Sequence, residues 1–287
     1  YSNPILYSWR LDLLEEIGVD YIPQTYEEII EVGKLAKKDG LFLMVRPALV
    51  LPNWWERWFD FFTLYNAING HQPFIVGNDV VADEEAVLDV FRFYEELQKE
   101  GLILTQEIPD AFAAGDSLWT ELGPWTFPGW KEQYPEMVYG ENFTLTMPPV
   151  PEKALGNAAN LTFGDAKGLV MYAQRSQEEQ EAIWEFIRWV FSRPENDLAW
   201  FEHTSLPPVR DDLAENQVFA DYLADSPALS PYAAYMAQAI PPFANGEFAD
   251  IQTALGEEGL IPLVRGQKTA EQAWKDAKAA IEQILNR

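Results

Sequence analysis

The sequence predicts an α/β fold. Three observations carry that prediction. Long amphipathic helices recur, several opened by a capping signal; short, almost wholly apolar strands separate them. Apolar residues make up 48% of 287, and no apolar run approaches the ~20 residues of a membrane span.

The elements follow in order. Thr25-Tyr26-Glu27-Glu28 is a capping box, and Ile29, Ile30, Val32 and Leu35 continue it as a helix over 26–38. Gly40 is placed to end that helix. Residues 41–45 form a short apolar run that reads as a buried strand, and Pro47 and Pro52 bracket a loop. Residues 53–67 read as one helix capped by Asn53. Val87, Leu88, Phe91, Tyr94 and Leu97 keep helical spacing within 83–100, before Gly101. A short helix or turn and then a strand occupy 112–122, and further strands are predicted at 143–150 and 168–172. Ser176-Gln177-Glu178-Glu179 opens a helix to about 191. Pro194 begins another to about 203, and 206–210 is extended. Helical stretches follow at 211–224, 228–238 and 247–255. Thr269 to Gln272 is a third capping box, opening the last helix to about 285. No repeat or low-complexity tract interrupts the pattern.

Composition narrows the function. The net charge is −26, a field that repels phosphate backbones and anionic lipid, so nucleic acid is not an expected partner. With no cysteine, the chain has no disulfide or thiol chemistry. His71 and His203 lie far apart, so no metal site is expected. The opening YSNPILYSWR has neither the basic start nor the apolar stretch of a secretion signal and reads as the middle of a domain. Sequences of the G-x-x-x-x-G-K-[ST], G-x-S-x-G and H-E-x-x-H types do not occur.

Aromatic residues reach 14%, with 11 Trp. Trp54, Trp55 and Trp58 lie within one helical turn and a half, and Trp54 and Trp58 share a face about 100° from Trp55. Trp119, Trp125 and Trp130 gather around LGPWTFPGW, a segment whose prolines exclude a regular helix or central strand. Most such rings serve as core. A proline-bounded Trp125 is different, because surface loops carry function and an indole offers a flat apolar face with one N–H donor. A pyranose, with an apolar face and hydroxyl edges, fits that surface. Glu121 nearby could instead be a general acid in a glycoside-active enzyme, which needs a second carboxyl across the sugar. In Phe163-Gly164-Asp165-Ala166-Lys167-Gly168, Asp165 and Lys167 could bond hydroxyls or simply pair across a tight turn.

Several segments, in order, resemble one family. They are YSWRLDLLEEIG from Tyr7, PQTYEE from Pro23, Phe112-Ala113-Ala114-Gly115-Asp116 followed by Leu122-Gly123-Pro124-Trp125, EAIWEFI from Glu181, LPPVR from Leu206, and TAEQA from Thr269. Together they are similar to the extracytoplasmic sugar-binding proteins of ABC importers, the maltose-binding-like group. The resemblance implies a periplasmic-binding-protein-like α/β fold of two hinged lobes. It further implies a sugar in the cleft, no cofactor and no catalysis. The partners it implies are the transmembrane permease subunits, and the protein is a monomer in the periplasm or lipid-anchored at the outer face of the membrane. It places 1–163 and 242–287 in the C-terminal lobe and 164–241 in the helical remainder of an N-terminal lobe incomplete in this chain. Trp9, Trp125 and Phe248 would stack on sugar faces. Arg46, Trp54 and Trp55 would line the cleft with Gly164, and Arg46, Glu121, Asp165 and Lys167 would bond hydroxyls.

Overall fold

The computed structural model describes residues 1–70, 72–158 and 160–287; His71 lies outside the described residues. The strands are β1 (Ser2–Pro4), β2 (Leu6–Arg10), β3 (Met44–Val45), β4 (Ile75–Val76), β5 (Asp79–Val80), β6 (Ile103–Leu104), β7 (Trp119–Leu122), β8 (Phe143–Thr146), β9 (Thr162–Ala166) and β10 (Ala239–Ile240). They form four small sheets.

β2 is the centre of the fold. It runs antiparallel between β7 and β8, with Trp9 opposite Trp119 and Tyr7 opposite Glu121, and all five of its residues are buried. Alternate residues point to opposite faces. Tyr7, Trp9 and Trp119 enter the main core, where Trp119 stacks on Tyr7 at 4.5 Å and on Trp9 at 5.8 Å. Leu6, Leu122, Phe143 and Leu145 enter a second core with Phe112, Trp130 and Tyr232. Each fully buried large apolar side chain contributes about 1.5–3 kcal/mol, so this strand alone anchors two packing layers.

Helices Tyr26–Lys38, Glu84–Lys99 and Ala270–Leu285 cover the main core with their apolar stripes. Their ends are set locally. The Thr25 hydroxyl accepts from the Glu28 N–H while the Glu28 carboxylate accepts from the Thr25 N–H. Asp83 accepts from the N–H groups of Glu85 and Ala86, and Thr269 from that of Gln272. The predicted box at Thr269 is half formed, since the Gln272 amide donates to Asp276 instead of reaching back.

The chain passes three times through the sheet β1-β9-β10, where β9 pairs antiparallel with β1 and parallel with β10. Between β9 and β10, helices Pro194–Thr204 and Gln217–Asp225 pack a small core of Phe201, Leu213, Phe219, Leu223 and Leu229. Helix Gln177–Phe191 has its full capping box but no buried residue; Trp184, Phe186 and Trp189 are all more than half exposed.

Three predicted elements need correction. Residues 168–172 are not a strand: the pairing strand is β9, just upstream, and Leu169, Val170, Met171 and Tyr172 stand exposed. An apolar run becomes a strand only where a neighbour pairs with its backbone, and among the described residues none does. Residues 53–67 are not one α-helix. Asn53 to Glu56 form a turn closed by the Glu56 N–H donating to the Asn53 carbonyl at 3.2 Å, and a π-helical stretch, Trp58–Phe62, precedes helix Thr63–Ile68. The Thr63 hydroxyl donates to the Trp58 carbonyl, five residues back, at 2.7 Å, and so satisfies an acceptor at the start of that stretch. The 247–255 stretch continues as a second π-helical segment, Leu255–Leu260, and ends at Val264.

Candidate functional site

The site builds outward from the π-helical stretch. Arg57 and Asp60 are 1% and 0% exposed there, and their side chains meet in two parallel bonds, Nε to Oδ1 at 3.0 Å and Nη2 to Oδ2 at 2.7 Å. The Tyr94 hydroxyl donates to the Asp60 carbonyl at 2.8 Å. With this pair turned inward, Trp54, Trp55, Trp58 and Phe59 are left to the outer side of the segment, half-buried or exposed.

Two aromatic groups result. Trp54 meets Trp58 and Phe248 edge to face at 5.0 Å each and Trp55 at 5.8 Å, and Trp58 stacks on Phe163 of β9 at 5.3 Å. On the other side Phe59 meets Trp125 at 6.1 Å and 75°. Trp125 follows β7 directly, in the 3-10 turn Pro124–Thr126, and is 45% exposed.

Arg46 lies beside this second group, with its guanidinium 6.0 Å from the centre of the Phe59 ring. It donates to Glu56 at 3.1 Å and is ion-paired with Glu121. Burial pushes the Glu121 carboxyl above its ordinary range, and the Arg46 charge pulls against that push. Burial also disfavours the Arg46 charge, but Glu121, Asp60 and Glu56 outweigh it and hold the guanidinium protonated. The cluster therefore carries a fixed cation whose charge is balanced by carboxylates, while its Nε is buried without a hydrogen-bond partner.

Trp125, Phe248, Trp54, Trp55, Arg46 and Glu121 are thus linked through one segment, 53–62. Trp9 is not part of the group. It is 0% exposed, sealed against Trp119 inside the main core, because a central strand covered on both faces leaves no ring free. Gly164, Asp165 and Lys167 are engaged in the crossing sheet. A Cβ at Gly164 would lie 2.6 Å from that of Ala239, so its missing side chain serves strand packing. Asp165 accepts from the Asn3 amide at 3.0 Å and pairs with Lys167, whose ammonium lies 5.7 Å from the centre of the Tyr1 ring. The sequence reading missed Glu56, Phe59 and Gly123. Only the spacing of Glu56 and Phe59 within the Trp-rich run could have signalled them.

Surface grooves are found away from this group. One of about 690 Å³ runs between Phe127–Phe143 and Glu202–Leu229. Among the described residues no cluster of His, Asp and Glu could hold a metal ion, and no helix is long and apolar enough to cross a membrane.

Comparison with known proteins places this geometry. A family profile described as bacterial extracellular solute-binding protein matches residues 1–229. An uncharacterized protein from Listeria monocytogenes is 42% identical with a TM-score of 0.94, over 99% of this chain and 71% of its own. The cyclic alpha-maltosyl-1,6-maltose binding protein of Arthrobacter globiformis superposes with a TM-score of 0.81 at 18% identity, over 99% of this chain and 70% of its own. UgpB of Mycobacterium tuberculosis, solved with glycerophosphocholine, gives 0.74 at 17%, over 100% and 70%. The last two show a shared periplasmic-binding-protein-like fold. The chain spans about 70% of the length of each. No curated protein matches it.

Proposed function

Because the chain belongs to the bacterial extracellular solute-binding proteins, we propose that it binds a neutral saccharide against the aromatic face around Trp125 and delivers it to an ABC-type importer. One observation carries the reading: a half-exposed indole is braced by a second ring beside an arginine whose charge two carboxylates already balance. An indole face suits the apolar face of a pyranose, and such a contact is worth about 1 kcal/mol. Hydroxyls can share the bonds of Arg46, Glu56 and Glu121, each charge-assisted bond contributing about 1.5–3 kcal/mol.

The charge arrangement favours an uncharged ligand over a phosphodiester or uronate. Arg46 and Arg57 face Glu56, Glu121 and Asp60, an excess of carboxylate, so an anion finds no free cation beside these rings. Glu121 is committed to Arg46, and we assign it no acid–base role.

In this reading 1–163 and 242–287 form one lobe, 164–241 contributes to the other, and the sheet β1-β9-β10 is the hinge. Closure is favoured by the sugar's differential affinity for the closed form. The decisive experiment is a thermal-shift screen of the protein against neutral mono- and disaccharides, with a glycerophosphodiester and a uronate alongside. A ligand of the folded state raises the midpoint. A neutral sugar should do so, and Trp125→Ala should reduce the rise as a roughly fivefold weaker ligand would; an equal response in that variant removes Trp125 from the site.

A further inference from the structure

We infer that Gly123 is a positioning residue: by lacking a side chain it lets the Trp125 indole lie flat over its own Cα, fixed in plane before any ligand arrives. The inference rests on the saccharide reading for its purpose but not for its geometry.

The steric evidence is direct. A Cβ built on Gly123 would come within 3.0 Å of the Cη2, Cζ3 and Cζ2 atoms of Trp125, an approach that real Cβ atoms do not make. The backbone gives no other reason for glycine. Gly123 has φ −113° and ψ 156°, an extended conformation open to any residue. What requires the glycine is the ring two residues on, folded back over it. Pro124 fixes its own φ at the first position of the turn, and the Thr126 N–H donates to the Gly123 carbonyl at 3.1 Å. The turn therefore returns the side chain of Trp125 onto Gly123. Phe59 closes the third side, with its ring at 75° to the indole. One indole face rests on the Gly123 backbone, Phe59 packs across it at 75°, and the residue keeps 45% of its surface exposed.

The consequence is a one-sided platform whose orientation is set in advance. Fixing a binding group in its bound geometry raises affinity by removing the ordering cost. Alanine at 123 leaves the strand and turn intact but lifts the ring out of plane. The affinity for a neutral disaccharide should then fall roughly fivefold, the whole worth of one ring contact.

The test uses the chain labelled with 5-fluorotryptophan, whose Trp125 resonance is identified by its loss in Trp125→Phe. In Gly123→Ala that resonance should shift or broaden while the others hold, with or without sugar. Phe59→Leu, which removes the edge contact, should also move it. In the disaccharide titration, Gly123→Ala should weaken wild-type binding but add nothing to Trp125→Ala, since both act through one ring. An unmoved Trp125 resonance in Gly123→Ala overturns the inference. So does an equal affinity loss in the Trp125→Ala background. If the resonance moves but the wild-type protein takes up no sugar, the positioning role stands and the saccharide reading falls.

Discussion

Asp60→Asn should be among the most destabilising single changes in the molecule. Asp60 and Arg57 are 0% and 1% exposed and joined by two bonds, at 3.0 and 2.7 Å. Nη2 of Arg57 has one further acceptor, the Ala48 carbonyl, at a long 3.4 Å. A Cβ at Gly256 would fall almost on Arg57 Nη1, so the guanidinium fills the space beside the second π-helical segment and has nowhere to withdraw. Asparagine removes the negative charge and turns one acceptor into a donor facing a donor. A buried arginine left unpaired costs about 3–5 kcal/mol, which is a large share of the ~5–15 kcal/mol of a typical fold. Urea unfolding followed by tryptophan fluorescence measures it directly. The midpoint should fall at constant slope. The double change Arg57→Met with Asp60→Leu removes both charges and should recover most of the loss, since a buried pair is often replaceable by apolar groups. A loss under about 1 kcal/mol in Asp60→Asn would refute the claim that this pair is sealed from water.

Two other outcomes separate core from site. Trp9→Ala should destabilise the protein by about 3–5 kcal/mol, whereas Trp9→Phe should leave any sugar-induced rise of the melting midpoint intact; loss of that rise would return Trp9 to the site. Asp212 is held at about 2 by its bonds to Arg210 and then Asn216. Its folded value is depressed below the ordinary 3.8, so its contribution is present above that value and fades as pH falls through about 2. A carboxyl NMR titration should place its midpoint there, and a midpoint near 4 would show the bonds absent in solution.

What the sequence revealed depended on how local the cause was. The capping residues Thr25, Asp83, Ser176 and Thr269 act within three residues, so the helices they open were legible. Trp125 stood out because Pro124 holds it in the 3-10 turn Pro124–Thr126, outside strand and helix. The same rule misjudged the residues after it, since Pro128 fits the first turn of the helix Phe127–Gln133 and Trp130 lies inside that helix. Trp9 was misplaced because an aromatic-for-aromatic match keeps chemistry but not environment; only the pairing of β2 with β7 and β8 decides that both faces are covered. The π-helical stretch at Trp58–Phe62 widens the helical turn to a period that the apolar spacing of 53–67 does not encode. Residues 168–172 have the composition of a strand and lack the neighbour that would make them one. Gly123 matters only because a turn brings a ring back over it.

The exposed indoles of helix Gln177–Phe191, with Tyr172 and Trp200 also bare, give the chain a split colloidal character. Sticky rings favour clustering, while a charge of −26 holds copies apart. At ~0.01 M salt that repulsion reaches about 30 Å, but near 1 M it reaches only about 3 Å. Dispersal of this chain, which spans about 70% of its relatives' length, is therefore an electrostatic condition that added electrolyte withdraws.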